Sequence, residues 1–202
     1  MEKNKLQHVT TDKLVSDIRS IIEQGRQQAY AAANQIAILT YWHIGRRIVE
    51  EEQHGEARAQ YGTRLIKTLA EQLMPKYGST FSKRNLDYFR QFYLCFNDLE
   101  IVNTCVHNLT WSHFRSIIQV ADPKAREWYV KEASEQMWSV RTLNRNIGTQ
   151  YYGRRMACVK EGLALPSPDI EANDPLEYIK SPVVAEFLGF RKDSKYDESQ
   201  LE

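Results

Sequence analysis

The stretch Leu14–His43, LVSDIRSIIEQGRQQAYAAANQIAILTYWH, decides the fold. Leu14, Ile18, Ile21, Gly25, Ala29, Ala32, Ile36 and Leu39 recur along it, and the series closes at His43. Spacings of three and four draw one face of an α-helix, with charged residues on the outer faces. The pattern predicts one long helix, or two helices broken near Gly25, capped by Thr11 or Asp12. Polar residues and two glycines in Glu50–Gly62 predict a loop. A seam this long packs on the rest of its own domain or on a partner copy.

Helical signals continue beyond it. Thr63 is positioned to cap a helix whose buried stripe is Leu65, Ile66, Leu69, Ala70 and Leu73. MPKYGSTFS, Met74–Ser82, reads as a turn, with Pro75 and Gly78 as breakers. Ser82 then starts a helix that opens with FSKRNLDYFRQFY and runs to about Asn97, from which Leu86, Phe89, Phe92, Tyr93 and Phe96 face inward. LEIVNTCVHNL, Leu99–Leu109, is open between a short strand or wing and a loop. Thr110 caps WSHFRSIIQV. Asp122 with Pro123 at the first helical position starts the next helix. Ser139 caps a single helix over VRTLNRNIGTQYYGRRMACV. The expected fold is mainly α: a multi-helix domain over 1–160 with a long N-terminal helix and a helix-turn-helix-like unit at about 63–97. Residues 161–202 read as a proline-containing acidic linker or tail, with one short helix near Val183–Leu188.

Composition narrows the function. The chain has 202 residues, 42% hydrophobic and 26% charged, enough for a real core. The net charge of +1 divides unevenly: Asp169–Glu202 carries 9 acidic and 4 basic residues, and the rest carries 17 acidic and 23 basic. A mildly basic body fits weak attraction to nucleic acid. The 3 cysteines show no CxxC spacing, which fits a reducing compartment. With no signal-like opening and no apolar run of about 20 residues, the expected location is cytoplasmic, away from membranes.

Catalytic motifs are absent. His8, His43, His54, His107 and His113 are scattered, and Glu50, Glu51, Glu52 and His54 lack a second soft ligand at metal spacing. There is no GxSxG, no phosphate-binding loop and no GxGxxG. Cys95 and Cys158 sit in apolar or aromatic surroundings, as inert thiols do. Asp169 with Asp193-Ser194-Lys195 matches a nuclease pattern nominally, but in a charged tail rather than on an apolar strand. Ser112 and His113 are adjacent, so on a helix they diverge by about 100°. Trp111, Trp128 and Trp138 read as core fillers. No catalytic residue, metal or cofactor is expected.

Basic residues are more informative. Lys83, Arg84 and Asn85 occupy the first turn that a helix-turn-helix offers to the major groove. Arg pairs with guanine and Asn with adenine through two hydrogen bonds each. Lys76 and Arg90 are placed for phosphates. Ser139–Lys160 holds Arg141, Arg145, Arg154, Arg155 and Lys160 without an acid, interleaved with Tyr151 and Tyr152. Such a face neutralises phosphates, packs against the acidic tail, or is simply solvated.

Together, EEEQHGEARAQYGTRLI, FSKRNLDYFRQFY, LTWSHF, DPKAREWYVKEA and WSVRTLNRNI resemble the N-terminal domain of the YhcG-like predicted nucleases, over about Leu14–Phe190. The matching positions are Tyr61, Gly62, Ser82, Arg84, Asn85, Leu86, Arg90, Phe92, Tyr93, Trp111, Ser112 and His113. The resemblance implies a helical domain of unknown function preceding a restriction-endonuclease-like nuclease domain in bacterial proteins. A full-length parent would be a metal-dependent PD-(D/E)XK-type nuclease. The carboxylates and lysine of that half are absent here, so the chain reads as part of a longer protein and not an enzyme by itself.

Two functions follow. In the first, the domain binds double-stranded DNA through Lys76, Lys83, Arg84, Asn85, Arg90, Arg141, Arg145, Arg154 and Arg155 and delivers an attached nuclease. In the second it is an assembly module, a homodimer or the dock of a partner subunit, and the basic residues only solubilise it. An apolar stripe left uncovered on the first helix favours the second reading. An enzymatic reading would need a pocket enclosing His113, Glu127 and another titratable group.

Overall fold

The computed structural model describes residues 2–54 and 59–163, and the side chains of residues 12–53, 62 and 64–163. The described residues form helices and no strand. They are α1 (Glu2–His54), α2 (Ala59–Tyr77), a 3-10 turn (Ser79–Phe81), α3 (Lys83–Cys95), α4 (Leu99–Cys105), α5 (Trp111–Ile117), α6 (Pro123–Glu135), α7 (Val140–Gly148) and α8 (Tyr151–Glu161). The tail helix expected near Val183–Leu188 and the Asp169/Asp193/Lys195 set lie outside the described residues.

Helix α1 is one unbroken element of 53 residues, about 80 Å long at 1.5 Å per residue. Neither Thr11 nor Asp12 caps it, and Gly25 lies within it. Its two halves differ. Over residues 12–32 every side chain is exposed except half-buried Tyr30. From Ala33 onward, Ala33, Asn34, Ala37, Ile38, Tyr41, Trp42, Ile48 and Val49 are buried. The covered face is therefore not the one drawn by Leu14, Ile18, Ile21 and Ile36. Ile36 is 57% exposed, and His43 is exposed. The buried set starts one residue further on, about 100° around the helix. It carries the aromatic Tyr41 and Trp42, which bury more apolar area than alanine or glycine.

Helix α3 crosses this face closely. Gly45 permits the crossing: a Cβ there would collide with the Phe89 carbonyl oxygen and lie 2.7 Å from its carbon. Tyr41 stacks on Phe89 with ring centroids 4.3 Å apart, and Trp42 Nε1 donates to the Phe96 carbonyl at 2.6 Å. Leu86, Phe89, Phe92 and Phe96 point inward as their spacing predicts. Trp111 and Phe114 complete this core, and Asn34 Nδ2 ties α1 to the Leu109 carbonyl at 3.0 Å.

Several local expectations are corrected. Helix α2 begins at Ala59, so Thr63 is internal, and it runs through Pro75 to Tyr77. Pro75 has no N–H to donate back along the helix, and α2 ends two residues later. Leu99–Cys105 is helical, not a strand or wing, because the Asp98 side chain accepts from Glu100 N–H at 2.8 Å. The predicted helix after Ser139 is two: Gln150 adopts a left-handed conformation (φ 52°, ψ 42°) between α7 and α8. That reversal folds α8 back on α6, where Tyr129 O–H donates to the Asn146 carbonyl and accepts from Tyr152 N–H, both at 3.1 Å.

Candidate nucleic-acid interface

The connection from α2 to α3 runs from Gly78 to Ser82 through the 3-10 turn. Two helices joined by this turn stand where the sequence suggests a helix-turn-helix-like unit. Asn85 Nδ2 approaches the Ser79 carbonyl at 3.4 Å, and the residue is half-buried. Its amide therefore steadies the turn. Lys83 is exposed beside Asp87 at 3.7 Å, with both side chains about half exposed, a pairing of little energetic weight. Lys76 is exposed and lies 5.0 Å over the Tyr77 ring.

Arg84 does not extend freely from the first turn of α3. Its guanidinium turns along the helix onto Tyr88, Nη2 lying 3.3 Å from the phenol oxygen and the carbon 5.7 Å from the ring centroid. Arg115, on α5, covers the same ring at 5.0 Å. Two guanidiniums from different helices thus share one phenol. The Arg84 hydrogen bond, against weak desolvation, lowers the Tyr88 hydroxyl below its ordinary range. Among the described residues neither arginine is ion-paired, so both charges remain available to an anion. Tyr88 and Arg115 were not singled out from sequence. The four-residue step from Arg84 to Tyr88 was visible there, whereas Arg115 arrives only through the α3–α5 contact.

Arg90 has a different situation. Its Nε donates to Glu52 Oε2 of α1 at 2.6 Å, and the Glu52 side chain is only 15% exposed. Gly62 on α2 leaves room for this carboxylate: a Cβ there would stand 2.5 Å from Glu52 Oε1. Glu52, Gly62 and Arg90 therefore join α1, α2 and α3. A charge reversal at Arg90 would set two carboxylates together and disturb the fold, whatever it did to a ligand.

The second basic element lies on α7 and α8. Arg141, Arg145 and Arg154 are exposed and Arg155 is half-buried. Arg154 lies 5.8 Å over Tyr151 and Arg155 5.7 Å over Trp128. These cations are held on an aromatic cluster of Trp128, Trp138, Tyr151 and Tyr152.

Among the described residues, His113 is joined by neither Ser112 nor Glu127. Burial pushes its imidazole down to about 4. Nδ1 accepts from Thr110 N–H at 3.0 Å, which leaves the proton on Nε2, 2.9 Å from the Trp138 carbonyl. Nδ1 serves the start of α5 and Nε2 ties that helix to the segment before α7, while Ser112 and Glu127 are exposed. Cys95 is half-buried, and desolvation raises its thiol, as befits an inert sulfur. A groove of about 380 Å³ between α1 and α2 is walled by Ile44, Ile48, Leu65, Leu69, Leu73 and Leu86. Its charges, Arg47 and Glu51, pair with each other at 2.6 Å, so it offers no acid–base chemistry. Among the described residues, no three His, Cys, Asp or Glu stand together as metal ligands. No described helix is long and apolar enough to cross a membrane.

The model of the DUF1016 N-terminal domain matches residues 17–154. The chain belongs to that family. It is also 34% identical to the Escherichia coli (strain K12) protein named "Putative nuclease YhcG", over 90% of this chain and 56% of that protein. The chain thus spans little more than half the length of this relative. No solved structure gives a significant match. Of the positions carried by the family resemblance, Gly62 and Arg90 meet at Glu52, Leu86, Phe92 and Trp111 are core, and Arg84 lies on Tyr88.

Proposed function

We propose that this domain binds the phosphate backbone of double-stranded DNA for an attached nuclease and does no chemistry itself. The carrying observation is the Arg84–Tyr88–Arg115 cluster. Two guanidiniums without carboxylate partners, braced on one aromatic ring, can donate to a phosphate with little ordering cost. The cationic α7–α8 segment and the name of the similar protein point the same way. In this reading Lys76, Lys83, Arg84, Arg115, Arg141, Arg145, Arg154 and Arg155 supply charge. Asn85 and Arg90 act through the turn and the Glu52 pair. The test is titration of labelled duplex DNA with Arg84→Glu, an exposed substitution, and with Arg84→Glu/Arg115→Glu. Binding should weaken by about tenfold or more with an unchanged melting profile. Equal binding by a folded variant would refute it.

The assembly reading has its own observation, the uncovered stripe on α1. It concerns a different surface, and a symmetric dimer is compatible with DNA contact through two half-sites.

A further inference from the structure

We propose that the projecting half of α1 pairs with the same segment of a second copy of this chain, as a parallel two-helix coiled coil. This deepens the assembly reading by naming the partner, and it is independent of DNA binding. Leu14, Val15, Ile18, Ile21 and Ile22 are 58, 43, 46, 67 and 48% exposed. No described element covers them. A Cβ on Gly25 would meet nothing within 4 Å.

The exposed residues keep heptad register. Val15, Ile22, Ala29 and Ile36 fall seven apart, and Ile18, Gly25 and Ala32 form the alternate row. Leu14 and Ile21 flank them. The register spans three heptads, about 32 Å of helix, near the length at which such a repeat specifies a coiled coil. It ends at Ile36, where the buried face of Ala33, Asn34, Ala37 and Ile38 takes α1 onto its own domain.

A lone helix of this kind has little to hold it. Most helical stability in proteins comes from packing of an apolar face, which this half lacks, and a central glycine weakens a helix further. Within the projecting half, Arg26 and Glu23 form an exposed ion pair at 3.3 Å. Burial of the apolar rows would supply the missing stabilisation.

Charge selects the occupant. Asp12, Asp17 and Glu23 balance Lys13, Arg19 and Arg26, so two copies carry no net repulsion. Arg19 and Arg26 share one flanking row, and Leu14 and Ile21 share the other. In a parallel pair each arginine stem lies over a Leu or Ile of the second copy and extends its charge to water. In an antiparallel pair arginine row would face arginine row. β-branched Val15 and Ile22 in the first row suit a two-stranded parallel coil.

The experiment is solution mass of the full chain by light scattering, for wild type and Ile18→Glu/Ile22→Glu. Wild type should have twice the chain mass and the variant should be monomeric, with the same thermal unfolding of the body. Because a variant can fail for other reasons, Ile18→Cys provides a second readout. Its partner cysteine lies opposite only in a parallel, in-register pair, so oxidation should yield a covalent dimer absent from oxidised wild type. A monomeric wild type overturns the proposal. So does a dimer that survives the double substitution, or an Ile18→Cys chain that fails to cross-link.

Discussion

Arg90 of α3 and Glu52 of α1, 38 residues apart in sequence, meet through Nε and Oε2 at 2.6 Å. Gly62 of α2 stands against the same carboxylate. The ion pair thus adds to the contacts that hold α1 against α3, the element that carries Arg84. Removing either partner leaves a half-buried charge unsatisfied. Arg90→Ala and Glu52→Gln should each cost about 1–2 kcal/mol, after allowance for the exposure of Arg90. A double-mutant cycle on urea unfolding should show coupling between them. Strict additivity would mean that the pair contributes nothing.

Two glycines in α1 should respond in opposite directions. A methyl at Gly45 runs into the backbone of Phe89, so Gly45→Ala should destabilise by about 2–3 kcal/mol as α3 is pushed away. A methyl at Gly25 meets open space. Gly25→Ala should leave the body unharmed and strengthen the helix by about 1 kcal/mol. The melting temperature of the body checks the first, and the helical circular-dichroism signal checks the second.

His113 should make stability depend on pH. Its folded value of about 4 lies below the ordinary 6.5 because burial disfavours the charged ring. Between these limits the unfolded chain binds the proton and the folded chain does not, so stability rises with pH across the window. It should be full above about pH 6.5 and fall by about 3 kcal/mol as pH drops towards 4. His113→Gln should flatten this segment of the stability–pH curve. An unchanged slope would assign the titration to other groups.

Much of this architecture was legible locally. The caps at Asp122 and Ser139 form as read: each side chain accepts from a backbone N–H two or three residues on. Three- and four-residue spacing also placed the α3 aromatics correctly, since that helix has one apolar face. Helix α1 defeats the same reasoning because it has two. Periodicity finds Leu14, Ile18 and Ile36 but cannot say which face the domain covers. That depends on Gly45 admitting α3 and on Tyr41 meeting Phe89. The break at Gln150 was hidden because its backbone conformation is imposed by packing of α8 on α6 rather than by a glycine. At the candidate interface, sequence placed Arg84 on an early helical turn. The partnerships of Arg84 with Arg115 and of Arg90 with Glu52 arise only when separate helices meet.

The tyrosine between the two arginines should matter through positioning. Tyr88→Leu keeps bulk and removes both the phenol and the cation–π surface. DNA binding should weaken by a few-fold while the core melts normally, and Tyr88→Phe should recover part of the loss through the ring alone. Anisotropy titration of the two variants beside wild type checks this. Equal affinities would show that the arginines need no brace.

The central claim, a phosphate-contacting domain, is met most directly by titrating the full chain with labelled duplex DNA over a salt series. Affinity should fall steeply and linearly on logarithmic axes, and Arg84→Ala should reduce the slope by about one unit. A folded protein that leaves the duplex unbound at low salt would contradict the account.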